Sequence, residues 1–278
     1  MTQYGEGFRP ETLVAIDAVE RALELARCGV GAADISGKGG RDLVTATDVA
    51  VEDVVRAIVS ETVGSLVVGE ERGGQAPVDG SPYWLVDPIC GTRNYASGMP
   101  LYCVNLALVE ADQITVAVVG DPSMGQMHVA ERGGRAWALK AGAQRALTMS
   151  DESRTIVIED GKSTGARRER AAQFAAQAIR ADRWDIRSFG TTLSLSYLAA
   201  GRISAYVLFL ASAVHTAAGT LLVTEAGGTL PDIDGRPWTI HSDSVVASAN
   251  PDLQEQLLNF ARGVPVCDAR AYERGPTR

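Results

Sequence analysis

One run constrains this chain more than any other: Trp84-Leu85-Val86-Asp87-Pro88-Ile89-Cys90-Gly91-Thr92-Arg93-Asn94-Tyr95. An apolar strand over 83–86 ends in an acidic residue and a Pro/Gly turn. Asp87 and Cys90 stand three apart, so a turn there aims both side chains at one point. Gly91 and Thr92 follow with backbone N–H groups and a hydroxyl, a common way to hold an anion.

The rest of the chain reads as helices and short strands. At 278 residues it is long enough for one large domain or two small ones. Leu13, Val14, Ile16, Val19, Leu23 and Ala26 fall at helical spacing and predict an amphipathic helix over 10–27. A Gly-rich loop with Lys38 is expected over 29–40. A second helix opens at Thr47 and Asp48, with Val51, Val55 and Val59 on its inner side. Apolar runs at 66–68, 83–86, 103–109, 114–119, 127–130 and 136–139 predict strands and hairpins. Further strands are expected at 155–158, 184–187, 203–209 and 245–248. Helices are expected at 173–181, 192–200, 213–226 and 252–260, the third closed by Gly227-Gly228 as a left-handed cap. The class is therefore mixed α/β (α+β), with an antiparallel-rich half over 1–150, an alternating half over 151–262 and a loose polar tail over 263–278.

Charge and cysteine usage narrow the setting. A net charge of -8 argues against nucleic acid or an anionic membrane surface as partner. No stretch approaches the ~18 consecutive apolar residues of a membrane span. Cys28, Cys90, Cys103 and Cys267 form neither a disulfide framework nor a zinc-finger spacing. With no basic-then-apolar leader pattern at the N-terminus, a reduced cytoplasmic location is expected.

Four segments together resemble the inositol monophosphatase superfamily of metal-dependent sugar and nucleotide phosphatases. They are Asp42-Leu43-Val44-Thr45-Ala46-Thr47-Asp48, Val68-Gly69-Glu70-Glu71, the run from Asp87 to Tyr95, and the segment from His215 to Gly228, which contains Ala217-Ala218-Gly219 and Glu225-Ala226-Gly227-Gly228. Their order and spacing follow the family from about residue 10 to 260. The resemblance implies a layered αβαβα sandwich, a homodimer, a small-molecule substrate of phosphorylated type, and Mg²⁺. It implies that Glu70, Asp87 and the Ile89 carbonyl hold a first ion. Gly91 and Thr92 would hold phosphate, and Thr47, Asp48, Glu70 and Thr92 would position the attacking water.

The chain departs from that pattern at two ligand positions. Three aspartates hold the family's second metal; here Asp87 remains and the others are Cys90 and His215. Sulfur and imidazole suit Zn²⁺ or a similar ion better than Mg²⁺, with Mn²⁺ a further candidate. They are also the residue types of a nucleophile and its base. In this fold they are expected to face each other at roughly 3–5 Å. Leu208 stands where the family often has a carboxylate that reads sugar hydroxyls, and Val214 where it often has tryptophan. A substrate other than inositol phosphate follows.

Three functions are consistent with these residues: a phosphomonoesterase of altered metal demand, a repurposed enzyme with Cys90 as nucleophile and His215 as base for acyl transfer or cyclisation, and a non-catalytic binding protein. Blander roles also stand. Cys90 could be a small buried hydrophobe, His215 a helix cap, and Glu70 and Asp87 structural carboxylates. Cys28 and Cys103 are expected in the core, and His128 and His241 on strands or the surface. Arg93 and Lys38 are surface charges or contacts for an anion. The 187–192 segment reads as a packing turn.

Overall fold

The computed structural model of the protein describes residues 7–31, 35–39, 42–61 and 66–263. The loose tail expected beyond Gly263, with Cys267, lies outside these residues, as does the side chain of Lys38. The chain begins with helix α1 (Pro10–Cys28), hairpin β1 (Ile35–Gly39) and β2 (Asp42–Thr45), and helix α2 (Ala46–Val59). The expected Gly-rich loop is thus partly strand, because 35–39 pairs antiparallel with 42–45. Thr45 caps α2 in a reciprocal capping box with Asp48.

Next come β3 (Leu66–Gly69), β4 (Tyr83–Cys90), the short helix α3 (Thr92–Ala96), β5 (Cys103–Glu110), β6 (Gln113–Asp121), β7 (Gln126–Glu131), β8 (Ala136–Lys140) and β9 (Ala143–Ala146). These seven strands form one sheet in chain order, with β3 parallel to β4 and the rest antiparallel. The second half adds β10 (Thr155–Glu159), α4 (Gly165–Ala181), β11 (Asp185–Arg187), α5 (Leu193–Ala199), β12 (Ala205–Leu208), α6 (Ala213–Glu225), β13 (Val245–Ser248) and α7 (Pro251–Ala261). Its sheet runs β11-β10-β12-β13, with only the last pair antiparallel.

Burial orders these elements into layers. Trp84 and Val86 of β4 pack with α1 and α2. Tyr83 and Leu85, one residue out of phase, face Leu195, Leu221 and Leu222 of α5 and α6. That inner layer also packs on Val157, Tyr206 and Val245 of the second sheet. Ile156, Val207 and Val246 point the other way, to Phe174, Leu257 and Phe260 of α4 and α7. The result is the expected αβαβα sandwich. Its central core joins both halves of the chain. Helix α6 is apolar nearly all round because it lies between two sheets, as a helix buried on every side must be.

Two local expectations change. Helix α4 starts at Gly165, eight residues before the expected start, because its first two turns are largely solvated and carry no apolar period. Cys28 is exposed rather than core, since the buried stripe of α1 ends at Ala26 and the last turn rotates away.

Candidate active site

A one-residue irregularity in β4 makes the site. Asp87 pairs with Asn105, but Cys90 pairs with Cys103, so β4 carries one extra residue between them. Pro88 has no N–H to give to a ladder, which suits it to such a bulge. In a regular strand, residues three apart face opposite ways. The bulge returns Cys90 to the face of Tyr83 and Leu85 and turns Ile89 to the other core. The strand therefore runs through Cys90 instead of stopping at Val86.

From across the cleft the first turn of α6 brings His215. Its Nδ1 lies 2.7 Å from Asp87 Oδ2 and 3.9 Å from Glu70 Oε2. Donor atoms of Asp87, Cys90 and His215 all lie within 4.8 Å of one another, in keeping with the approach expected from the sequence. Asp87 is fully buried, and its Oδ1 has no hydrogen-bond partner among the described residues.

Charge is shifted accordingly. Burial and the neighbouring Cys90 push the Asp87 carboxyl up to about 7, against the pull of His215. Burial works against a charged His215, but its hydrogen bond and ion pair with Asp87 prevail and raise it well above the ordinary imidazole value. The Cys90 thiol is pushed well up by its hydrogen bond with Cys103 and by burial.

A second layer holds the sulfur. Thr192 donates its backbone N–H to Cys90 Sγ at 3.2 Å, and its hydroxyl lies 2.9 Å from that sulfur. Asn105 Nδ2 donates to Thr192 Oγ1 at 3.0 Å and reaches the His215 carbonyl at 3.5 Å. Thr191 donates its hydroxyl to the Cys90 carbonyl at 2.7 Å. The 187–192 segment is thus more than the packing turn expected. Asn105 carried a readable signal, a lone amide in an otherwise apolar strand.

The oxygen-rich side is built by α2, β3 and α3. The Thr92 hydroxyl lies 3.2 Å from Asp48 Oδ1 and 3.1 Å from the Ile89 carbonyl. Burial raises the Asp48 carboxyl, opposed by its bonds to Thr45 and Thr92. Glu70 follows β3, and buried Glu52 of α2 fixes its turn by accepting the Glu71 and Arg72 N–H groups at 2.7 and 3.1 Å. Gly69 must be glycine here, because a Cβ would lie 2.0 Å from Glu52 Oε1. Gly91 stands at φ +105°, and a Cβ there would meet the Leu101 carbonyl at 2.9 Å.

The cleft, about 660 Å³, is lined by Glu70, Asp87, Cys90, Gly91, Thr92 and His215, among others. Arg93 also lines it. Tyr206, Leu208 and Leu210 form an apolar wall, and Glu159, Asp160 and Lys162, unremarked in the sequence, line the far side. Neither Thr47 nor Asp48 is among the lining residues: Thr47 bonds the Tyr95 hydroxyl, and Asp48 is fully buried and meets the cleft through Thr92. Cys103 is buried as expected. His128 is buried in β7 and His241 is exposed.

The donor sets divide. Glu70, Asp87 and the Ile89 carbonyl are all oxygen, which suits a hard divalent ion. Asp87, Cys90 and His215 offer oxygen, sulfur and nitrogen, which does not suit Mg²⁺.

The model of the inositol monophosphatase family matches residues 9–264. The chain is 34% identical over 234 residues to an inositol-1-monophosphatase of Mesorhizobium japonicum, covering 82% of this chain and 86% of that one. It is 32% identical over 258 residues to a histidinol-phosphatase of Mycobacterium tuberculosis, covering 89% and 96%. Among solved structures, a Thermotoga maritima IMPase aligns with a TM-score of 0.78 at 22% identity, over 90% of this chain and 96% of that one. That last likeness speaks to the fold.

Proposed function

The chain belongs to the inositol monophosphatase family, and from that premise we propose that it hydrolyses a small phosphomonoester other than inositol phosphate. The observation that carries this reading is the contact of Thr92 with buried Asp48, together with an Asp87 oxygen that has no hydrogen-bond partner among the described residues. The residues fit one hard divalent ion of the Mg²⁺ type, held by Glu70, Asp87 and the Ile89 carbonyl. Such an ion supplies positive charge that polarises a phosphoryl oxygen.

The protein's own groups do the rest. Thr92 gives its hydroxyl proton to Asp48 and so turns its oxygen lone pairs toward a water. Asp48, raised by burial, is a stronger base than an exposed aspartate. Glu70 borders the same space. Backbone amides of Gly91 and Thr92 receive the phosphate, and the left-handed turn at Gly91 is what lets the chain come close enough. The leaving group then lies against Leu208 and Leu210. Leu208 offers no acceptor for a polyol, which supports a substrate with an apolar portion next to the ester.

The surroundings of Cys90 do not favour the nucleophile reading. The hydrogen bond with Cys103 and burial raise the thiol, outweighing the contact with His215 that lowers it, and His215 Nδ1 is engaged with Asp87. The test is phosphate release from a panel of phosphomonoesters with Mg²⁺, Mn²⁺ and Zn²⁺. Release from apolar or aromatic-chain phosphates above inositol phosphate supports the reading; absence of release with every metal contradicts it.

A further inference from the structure

The donor set at Asp87, Cys90 and His215 disagrees with Mg²⁺, and we propose that this cluster is a site for a zinc-class transition ion. The inference rests on the phosphatase reading only for Asp87, which the two ion positions would share. It concerns binding, and it can be tested without turnover.

The chemistry comes first. Mg²⁺ demands oxygen and near-octahedral geometry. A thiolate, an imidazole and a carboxylate, with a fourth position open to the cleft, form a tetrahedral set of the kind Zn²⁺ takes. Co²⁺ takes the same donors, with affinity ordered by the metal series.

The geometry follows. Metal–ligand lengths of about 2.0–2.3 Å place tetrahedral donors about 3.3–3.8 Å apart. The three donor atoms already lie within 4.8 Å of one another, and the closest pair, His215 Nδ1 and Asp87 Oδ2, is 2.7 Å apart. Entry of an ion requires that pair to open by less than an ångström. Asp87 keeps an oxygen with no partner among the described residues, so it has spare acceptor capacity.

The supporting layer points the same way. Asn105 donates to Thr192 Oγ1, which leaves that hydroxyl's own proton for the sulfur. With the Thr192 N–H, two donors then converge on Cys90 Sγ, an arrangement that suits a ligating thiolate. Asn105 also reaches the carbonyl of His215, so one amide ties together the segments carrying both new ligands. The binding step balances simply: a metal–sulfur bond forms and the thiol proton leaves to solvent.

The experiment is a titration of the metal-stripped full chain with Co²⁺ alone, followed by displacement with Zn²⁺. The expected result is the intense visible absorption of tetrahedral Co²⁺ and a near-ultraviolet thiolate-to-cobalt band at one equivalent, both abolished by Zn²⁺. Cys90→Ser removes the thiolate band and weakens Zn²⁺ more than about tenfold. His215→Gln loses the tetrahedral spectrum, and Cys28→Ser leaves everything unchanged. A wild-type protein that gives no thiolate band, or a band that survives Cys90→Ser, overturns the proposal. The wild-type spectrum decides even if a variant fails to fold. The two readings also separate. The band without phosphate release leaves this site standing and removes the phosphatase. Phosphate release with Mg²⁺ and no band does the reverse.

Discussion

The two sides of the cleft differ in both chemistry and support. The oxygen side draws Asp48, Glu70 and Thr92 from α2, the end of β3 and the start of α3; Thr45 holds Asp48, and Glu52 ties α2 to the turn after β3. The sulfur–nitrogen side draws Cys90 from the bulged end of β4 and His215 from α6, and Thr192 and Asn105 brace it. Asp87 belongs to both. Retention on one side and replacement on the other are what the proposed hydrolysis with an altered metal demand would leave.

Breaking the oxygen side is expected to have the largest effect. Thr92→Ala or Asp48→Asn should lower kcat by about 10²–10⁴-fold, as loss of general base chemistry does. The cobalt–thiolate band of the other side should persist. Equal loss of that band in kinetics and spectroscopy measured together would mean that the sides are not independent.

Next is Leu208→Ala. It removes apolar contact from the proposed leaving-group wall and should raise KM for an apolar phosphomonoester about 10–200-fold, at about 1–3 kcal/mol, with a smaller change in kcat. A selective fall in kcat, seen in steady-state kinetics on the same panel, would place Leu208 in the chemistry instead.

The fold was legible in the sequence because its signals are local. The Asp87–Tyr95 run, the Ala217-Ala218-Gly219 step and the alternating apolar runs each imply an element, and the layers follow from which faces are apolar. The site was half legible. Glu70, Asp87, Thr92 and Asp48 lie in motif segments, but the bulge that turns Cys90 to the face of Asp87 comes from strand register, which a sequence does not display. Thr192 lay in an ordinary-looking turn, and Asn105 became meaningful only once β5 was set beside β4. Glu159 follows the expected 155–158 strand with no signal of its own. In the structure it accepts from Ser188, Phe189 and Gly190 and so holds the turn that leads to Thr192.

The smallest effect sharpens the contrast through pH, using a buried histidine of β7 that does not line the cleft. Burial, with the charges of Arg202 and Arg145, lowers His128 to about 3 from 6.5. The unfolded chain therefore takes up a proton that the folded one refuses. The stability this gives is present above about pH 6.5 and is lost as pH falls toward about 3. Thermal melts of His128→Gln should show a shallower loss over that window than wild type. His215, shifted upward, adds no instability there, because a raised histidine favours the folded state as pH falls. An unchanged acid slope in His128→Gln would assign the acid sensitivity elsewhere.

Anomalous diffraction from crystals soaked with both Mn²⁺ and Zn²⁺, recorded at each metal's edge, tests the division of the cleft most directly. The account predicts manganese at Glu70, Asp87 and the Ile89 carbonyl, and zinc at Asp87, Cys90 and His215. Manganese at both positions, or zinc absent from the sulfur and imidazole, would contradict it.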